Sequence, residues 1–139
     1  MRDLFVDSFY YIALINPRDN HHERARTLAP QIAGCRFWTT DLVLVEVANA
    51  LSTQRLRPHA AAYLRTVEQS SDTTIIRLTP NLFERALTLY EEHHDKTWSL
   101  TDCLSFVVMQ DNDISEALTG DHHFTQAGFS SLLNGGENP

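Results

Sequence analysis

The segment LFVDSFYYIALINP, residues 4–17, predicts how the chain begins and what kind of sheet it builds. Leu4-Phe5-Val6 is a short apolar strand that ends at Asp7, and residues 8–16 follow it with the composition of a helix. Asn16-Pro17 closes this helix, because the residue before a proline is disfavoured in the α conformation. A buried strand that leads directly into a helix is the first half of a βαβ unit, which indicates a parallel sheet.

The same alternation of strands and helices continues along the chain. Further strands are predicted at residues 36–39, 73–78, 116–119 and 129–133. Further helices are predicted at residues 20–29, 41–53, 58–69, 100–111 and 121–127, and after Thr79-Pro80, where the apolar stripe is Leu82, Phe83, Ala86, Leu87 and Tyr90. This order predicts an α/β fold of three layers, α/β/α, with a mostly parallel, Rossmann-like sheet of about four to five strands.

Composition limits the class of protein. A length of 139 residues predicts one domain, here residues 1–134 followed by a flexible tail at 135–139. The net charge is −7, and residues 71–139 carry three basic and eleven acidic residues, which argues against binding nucleic acid by bulk positive charge. The chain lacks a membrane-length apolar run, and its two cysteines, Cys35 and Cys103, are expected to be reduced, so we expect a cytoplasmic protein.

Four acidic residues stand where the predicted fold brings ligands together. Asp7 and Asp121 follow strands, and the carboxyl ends of parallel strands form the usual binding edge of such sheets. Asp102 opens the apolar helix at 100–111. Glu46 lies on a mostly apolar helix face without a Lys or Arg within one turn, so its charge needs a partner from elsewhere.

Each aspartate taken alone has a second interpretation. Asp7 and Asp121 could cap the helices that follow them, and Asp102 could form a capping box with Ser99. Four carboxylates gathered at one edge cannot all stay ionised without a cation. Mg²⁺ or Mn²⁺ is the simplest solution, because both ions prefer oxygen ligands and usually keep several waters.

The contexts of these acids resemble a known family. The sequence resembles PIN domains, specifically the VapC-like toxin ribonucleases, over nearly the whole chain, most weakly at residues 54–90. The segments that carry the resemblance are FVDSFYYIALINPRD (residues 5–19), TTDLVLVEVANAL (residues 39–51), DKTWSLTDCLSFVVM (residues 95–109), EALTGDHHF (residues 116–124) and AGF (residues 127–129).

The resemblance implies an activity and a set of site residues. It implies hydrolysis of RNA phosphodiester bonds with one or two Mg²⁺ or Mn²⁺ ions, which lower the pKa of a bound water. The implied catalytic and metal-binding residues are Asp7, Glu46, Asp102 and Asp121, and the implied supporting residues are Ser8, Thr119 and Ser99. The implied partners are the RNA substrate, a second copy of the chain in a homodimer, and a small VapB-like antitoxin whose basic tail blocks the acidic pocket.

Other interpretations stay open at this point. The protein could be a solitary PIN-domain ribonuclease without an antitoxin, or chiefly an antitoxin-binding module with little cleavage. The histidine pairs at 21–22, 93–94 and 122–123 offer metal-free acid–base catalysis, which would survive EDTA and leave a cyclic phosphate. A phosphoacceptor signalling domain is disfavoured. Such a domain needs an acidic pair at the first strand, whereas the two acids at this strand, Asp3 and Asp7, are four residues apart.

Overall fold

The structure, a computed structural model, describes residues 1–133. Strands and helices alternate along this part of the chain, and a short 3₁₀ turn at Ala29–Gln31 follows the second helix. In chain order the elements are β1 (Asp3–Val6), α1 (Ser8–Ile15), α2 (His22–Leu28), β2 (Arg36–Thr40), α3 (Asp41–Ala50), α4 (Arg57–Gln69), β3 (Thr73–Ile76), α5 (Pro80–Glu92), α6 (Leu100–Asp111), β4 (Glu116–Leu118), α7 (His122–Gln126) and β5 (Ser130–Ser131).

The five strands form one sheet in the order β3-β2-β1-β4-β5, and every neighbouring pair is parallel. Helices flank the sheet: α1 packs against α2, α3 and α4, and α6 packs against α5 and α7. The predicted α/β architecture is therefore confirmed, with a sheet that is wholly parallel. Strand order reverses at β1, since the chain runs outward through β2 and β3 and then returns to add β4 on the other side of β1.

The core lies along β1, β4 and α6. Leu4, Phe5 and Val6 of β1 are buried, because neighbouring strands pair with β1 on both edges and helices cover the sheet. Helix α6 is buried from Asp102 to Met109, as its nearly continuous apolar sequence predicted. Burial of each large apolar side chain contributes about 1.5–3 kcal/mol, so the elements that carry the site residues rest on the most stable part of the molecule.

Three predictions about local structure are wrong in detail. Helix α3 ends at Ala50 rather than at residue 53, and the last strand is only Ser130–Ser131 rather than residues 129–133. In α5 the predicted stripe included Phe83 and Tyr90, but both rings are exposed. Ala86 is the buried residue of α5, and Leu82 and Leu89 pack partly buried beside it, so the inward face lies about one position away from the predicted one.

Three further predictions concern the end of the domain, the state of the two cysteines and the presence of membrane-spanning helices. The predicted domain boundary at residue 134 and the predicted flexible tail at 135–139 lie outside the described residues. Cys35 and Cys103 are both free thiols, as expected. Among the helices of residues 1–133, none is long and apolar enough to cross a membrane.

Candidate functional site

The four acidic residues meet at the point where the strand order of the sheet reverses. β1 and β4 are neighbours in the sheet but are far apart in sequence, and Asp7 follows β1 while Asp121 follows β4. The carboxyl ends of two such strands bound a crevice in which α/β proteins commonly bind ligands. The topology therefore brings both aspartates to one edge, as predicted.

Asp7 is the most deeply buried of the four acids. Its side chain is only 3% exposed, and one carboxylate oxygen accepts a hydrogen bond of 2.7 Å from the Thr119 hydroxyl. Burial raises the pKa of Asp7 to about 7, and the negative charges of Asp102 and Glu46 add to this rise. The Thr119 hydrogen bond opposes the rise, because it stabilises the charged form. Asp7 is therefore a carboxyl group that ionises readily only when a positive charge is near.

Glu46 reaches the same site from α3. The helix begins after Thr40, whose hydroxyl caps it by accepting the Val43 amide at 3.2 Å. Six residues after the cap, the partly buried Glu46 carboxylate accepts a hydrogen bond from the Ser8 hydroxyl at the start of α1. The expected supporting position of Ser8 thus corresponds to a contact with Glu46.

Asp102 serves as a helix cap and also faces the site. Its amide donates to the Ser99 hydroxyl at 3.0 Å, and its carboxylate accepts the Ser99 amide at 3.1 Å, which completes the predicted capping box. The same carboxylate oxygen also lies 3.0 Å from Nδ1 of His123. Burial raises the pKa of Asp102 and the charge of Asp121 adds to this, while the Ser99 amide and His123 oppose it.

Asp121 begins α7 and holds His123 beside Asp102. Its carboxylate accepts the His123 amide at 2.9 Å, so its predicted capping role is present as well, and it lies 3.3 Å from His123 Nδ1. Nδ1 faces two carboxylates and donates a hydrogen bond to them, while Nε2 lies 3.1 Å from the Thr97 hydroxyl. His123 thus joins Asp102 and Asp121, whereas the side chain of His122 is 71% exposed.

These side chains surround one open cavity of about 340 Å³. The lining consists of Asp7, Ser8, Phe9, Ile12, Glu46, Thr97, Ser99, Asp102, Asp121 and His123. Within the described chain no Lys or Arg lines it, and five arginines instead pair with acids elsewhere on the surface: Arg2, Arg26, Arg36, Arg77 and Arg85. The cavity therefore concentrates negative charge that the chain itself does not neutralise.

The carboxylates surround the cavity without converging on a single point. The potential ligand atoms that lie within 4.8 Å of one another, among residues 1–133, belong to Asp121, His122 and His123. A cavity lined by separated carboxylate oxygens has room for a hydrated ion, which is how Mg²⁺ usually binds. The carboxylate oxygens of the lining are the donors that a hard divalent cation prefers.

Gly120 fits against an aromatic wall of this cavity. A Cβ atom at Gly120 would lie 2.5 Å from Cζ of Phe9, which is closer than any van der Waals contact allows. Phe9 packs in turn on the ring of His21, with 4.7 Å between the ring centroids. The absence of a side chain at Gly120 therefore lets Phe9 lie close to the loop between β4 and α7.

All seven predicted site residues lie at or beside this cavity. Thr119 is just behind it, where its hydroxyl joins Asp7 to the main chain of Asp121 by accepting the Asp121 amide at 3.0 Å. Sequence reasoning missed Thr97 and left His123 undistinguished from His122. Because α7 begins at His122, the side chain of His123 turns toward the cavity and that of His122 toward solvent. No feature of the sequence near Thr97 indicated its role.

Comparisons with known proteins agree with the site. The sequence profile of the PIN domain matches residues 4–130. The chain is 27% identical over 133 residues to the 23S rRNA-specific endonuclease VapC20 of Mycobacterium tuberculosis, covering 91% of this chain and 95% of that protein. The crystal structure of VapC20, described as a Sarcin-Ricin loop cleaving toxin, superposes with a TM-score of 0.85 at 27% identity over 93% of this chain and 98% of that one.

Two more distant structures share the fold. VapBC2 from Rickettsia felis, bound to a DNA fragment from its promoter, gives a TM-score of 0.64 at 13% identity, covering 93% of this chain and 96% of that one. FitAcB from Neisseria gonorrhoeae gives a TM-score of 0.59 at 13% identity, covering 92% of this chain and 95% of that one. At this level of identity the likeness concerns the fold alone.

Proposed function

This chain belongs to the PIN domain family, and we propose that it is a divalent-metal-dependent endoribonuclease that acts as the toxin of a toxin–antitoxin pair. The observation that carries the proposal is the cavity at the strand-order reversal, where four acids from four different elements meet without a Lys or Arg in the described lining. Such a cavity repels RNA until a cation enters it, which makes the metal a requirement for both binding and cleavage.

Asp7, Glu46, Asp102 and Asp121 would hold one or two Mg²⁺ or Mn²⁺ ions, partly through water. When bound, such an ion lowers the pKa of a water molecule and stabilises charge on the phosphoryl group. Asp7 gives up its proton as the positive charge arrives, because the pKa of about 7 reflects burial beside two other acids. Metal binding would therefore favour the ionised form of Asp7.

The neighbouring polar side chains hold the acids in place. Ser8 orients Glu46, Thr119 orients Asp7, and Ser99 fixes Asp102 at the start of α6. His123 contacts Asp102 and Asp121 together, so a shift of one carboxylate is transmitted to the other. We assign catalytic roles to the four acids and supporting roles to Ser8, Thr119 and Ser99, because these residues line or adjoin one cavity.

Ribosomal RNA is the proposed substrate class. This extends to the present chain what is known of its relative VapC20, a 23S rRNA-specific endonuclease, and rests on similarity along 91% of the chain. Such a substrate and the two free cysteines both fit the cytoplasm. A single catalytic domain over residues 1–134 fits this activity, since the whole site lies within it.

The proposed partner is an antitoxin with a basic segment. A Lys or Arg inserted into the cavity would relieve the repulsion among the acids in the same way as a metal ion, and would exclude that ion. A homodimer is also proposed, and the faces of α3 and α4 are candidate surfaces, where Val45 is 53% exposed. A solitary ribonuclease, or a module that mainly binds an antitoxin, remains the alternative.

The decisive experiment is a cleavage assay with analysis of the product ends. Purified protein is incubated with end-labelled ribosomal RNA and Mg²⁺, with and without EDTA. We expect cleavage only with Mg²⁺, products with 5′-phosphate and 3′-hydroxyl ends, and loss of at least 100-fold in rate for Asp102→Asn, in line with the loss of an electrostatic catalytic group. Cleavage that resists EDTA and leaves a cyclic phosphate would instead support the histidine mechanism.

A matched control variant lies on the same helix. Asp111, at the far end of α6, pairs with Arg85 at 2.7 Å and is outside the cavity. Asp111→Asn should retain the rate of the unaltered protein, because it removes one α6 carboxylate without changing the cavity. Equal losses in both variants would mean that the effect comes from general destabilisation of α6.

A further inference from the structure

A large groove opens beside the acidic cavity, between the end of α5 and the start of α6. It has a volume of about 810 Å³ and is lined by Tyr90, His93, His94, Lys96, Thr97 and Trp98, among others. We name it the α5–α6 groove. Its size lies within the range of pockets that bind small organic ligands.

The α5–α6 groove and the acidic cavity share a wall. Thr97 and Ser99 line both spaces, and Thr97 also contacts His123 of the acidic cavity. A chain of nucleotides whose phosphate lies among the acids must extend beyond that cavity in some direction. The groove adjoins the cavity along this wall and offers one such direction.

The groove has a fixed aromatic floor and an exposed aromatic rim. The ring of Trp98 stacks on His93 with 4.9 Å between centroids, meets Phe106 edge-on at 5.0 Å, and donates its indole N–H to Gln126 at 2.9 Å. Tyr90 at the rim is 50% exposed. Trp98 is itself buried, so the exposed ring of Tyr90 is the aromatic surface on which a nucleobase can stack, an interaction that is tolerant of sequence.

The charge of the groove points to the same ligand. Lys96 is the only lysine of the protein, and no Lys or Arg follows Arg85 in the sequence apart from Lys96. Of the three basic residues in the acid-rich half of the chain, Lys96 is the one that lines the groove next to the acidic cavity. Its pairing with Asp95 at 3.3 Å is a surface contact that a phosphate can replace at little cost.

We propose that the α5–α6 groove binds a single-stranded nucleotide of the RNA next to the scissile phosphate, with its base on Tyr90 and its phosphate at Lys96. Glu91, which also lines the groove, can accept a hydrogen bond from an exocyclic amino group of the base. This inference rests on the proposed ribonuclease function and assigns the part of the site that recognises unpaired RNA.

The test compares two exposed aromatic residues on one helix. Phe83 lies two turns before Tyr90 on α5, is 43% exposed and is outside the groove lining, so it is a matched control. The probe is a synthetic RNA hairpin that carries the sarcin–ricin loop, cleaved with saturating Mg²⁺. We expect Tyr90→Ala to raise KM about 10-fold with little change in kcat, as loss of one base stack would, and Phe83→Ala to leave KM unchanged.

Two further variants separate stacking and charge from folding defects. Tyr90→Phe should restore the KM of the unaltered protein, because it keeps the ring and loses only the hydroxyl. Lys96→Gln should weaken binding and lower the slope of log KM against log salt by about 1, as loss of one phosphate contact would. Thermal denaturation of each variant shows whether it is folded under the assay conditions.

The outcomes distinguish this inference from the proposed function. Equal KM values for Tyr90→Ala and Phe83→Ala, in a protein that cleaves RNA normally, overturn the groove assignment and leave the ribonuclease proposal standing. Absence of Mg²⁺-dependent cleavage in the unaltered protein overturns both. A dimer that dissociates only on Tyr90→Ala, measured by light scattering, overturns the assignment by showing that a second copy covers the groove.

Discussion

The substitution Asp7→Asn should make the metal-free protein more stable while it removes ribonuclease activity. Asp7 is almost fully buried, and its pKa of about 7 shows how strongly the folded chain resists a negative charge there. Asparagine has nearly the same shape, and its oxygen can still accept the hydrogen bond from Thr119. The variant therefore removes the buried charge and keeps the packing.

The size of the effect follows from the pKa. The rise in the pKa of Asp7 from 3.8 to about 7 corresponds to about 4 kcal/mol in the free energy of unfolding, because a shift of one pKa unit is worth about 1.4 kcal/mol. Below pH 4 the carboxyl group is protonated in both the folded and the unfolded chain, and this contribution is fully present. As pH rises from about 4 to about 7 only the unfolded chain releases the proton, so the free energy of unfolding falls. Above pH 7 the contribution of Asp7 to the free energy of unfolding is fully lost and no longer changes with pH.

The assay is urea denaturation in EDTA at pH values from 4.5 to 8.5. The difference in free energy of unfolding between Asp7→Asn and the unaltered protein should be small at low pH and grow to about 2–4 kcal/mol above pH 7. Titrations common to both proteins cancel in this difference. Asp121→Asn is the control for removal of a carboxylate from the same cavity, because this side chain is 30% exposed rather than buried.

Two results would refute this reasoning. A difference that stays constant with pH would mean that Asp7 titrates alike in the folded and unfolded chains, so that its burial does not oppose ionisation. A destabilised Asp7→Asn at pH 8 in EDTA would mean that the charge is already compensated by the protein. Adding Mg²⁺ should stabilise the unaltered protein and have little effect on the variant, as binding linkage requires.

Three further substitutions test the surroundings of the acids. Gly120→Ala should lower the free energy of unfolding by about 1–3 kcal/mol and slow cleavage, because its Cβ would meet Phe9. Phe9→Leu in the same protein should restore both stability and cleavage. Failure of this rescue, seen by thermal denaturation and RNA cleavage, would contradict the contact. Ser99→Ala should lower the free energy of unfolding by about 1 kcal/mol through loss of the α6 cap, and an unchanged urea midpoint would contradict the capping role. His123→Ala should weaken Mg²⁺ affinity by about 10–100-fold in calorimetry, and an equal loss in His59→Ala, an exposed histidine outside the cavity, would show that the contact with the acids is unimportant.

Much of this molecule could be predicted from short-range patterns. The apolar strand before Asp7 and the apolar helix around Asp102 are clear enough in the sequence to predict a parallel sheet and the convergence of the acids. The order of the strands in the sheet came from the structure. The face of α5 could not be predicted, because Phe83 and Tyr90 are as apolar as the residues that pack inward and only the position of α6 decides between them.

The finer structure of the site also depended on tertiary contacts. From the sequence, helix capping and participation in the site looked like alternative roles for Asp102 and Asp121. In the structure each of these residues caps a helix and also faces the site, because one carboxylate has several acceptor positions. His123 could not be told from His122 because neighbouring histidines differ only in the direction that the α7 start gives them. Thr97 joins the site through that same histidine, at a distance of 26 residues along the chain.

The order in which the acids occur along the chain has a consequence for synthesis. A growing chain that has reached residue 120 contains Asp7, Glu46 and Asp102 but lacks Asp121, and β4 has only just been completed beside β1. The pocket cannot form until this late segment leaves the ribosome and β4 pairs with β1, which was made first. A nuclease of the proposed kind is thereby harmless to the ribosome that is translating it, and an antitoxin has the interval between translation and folding in which to arrive.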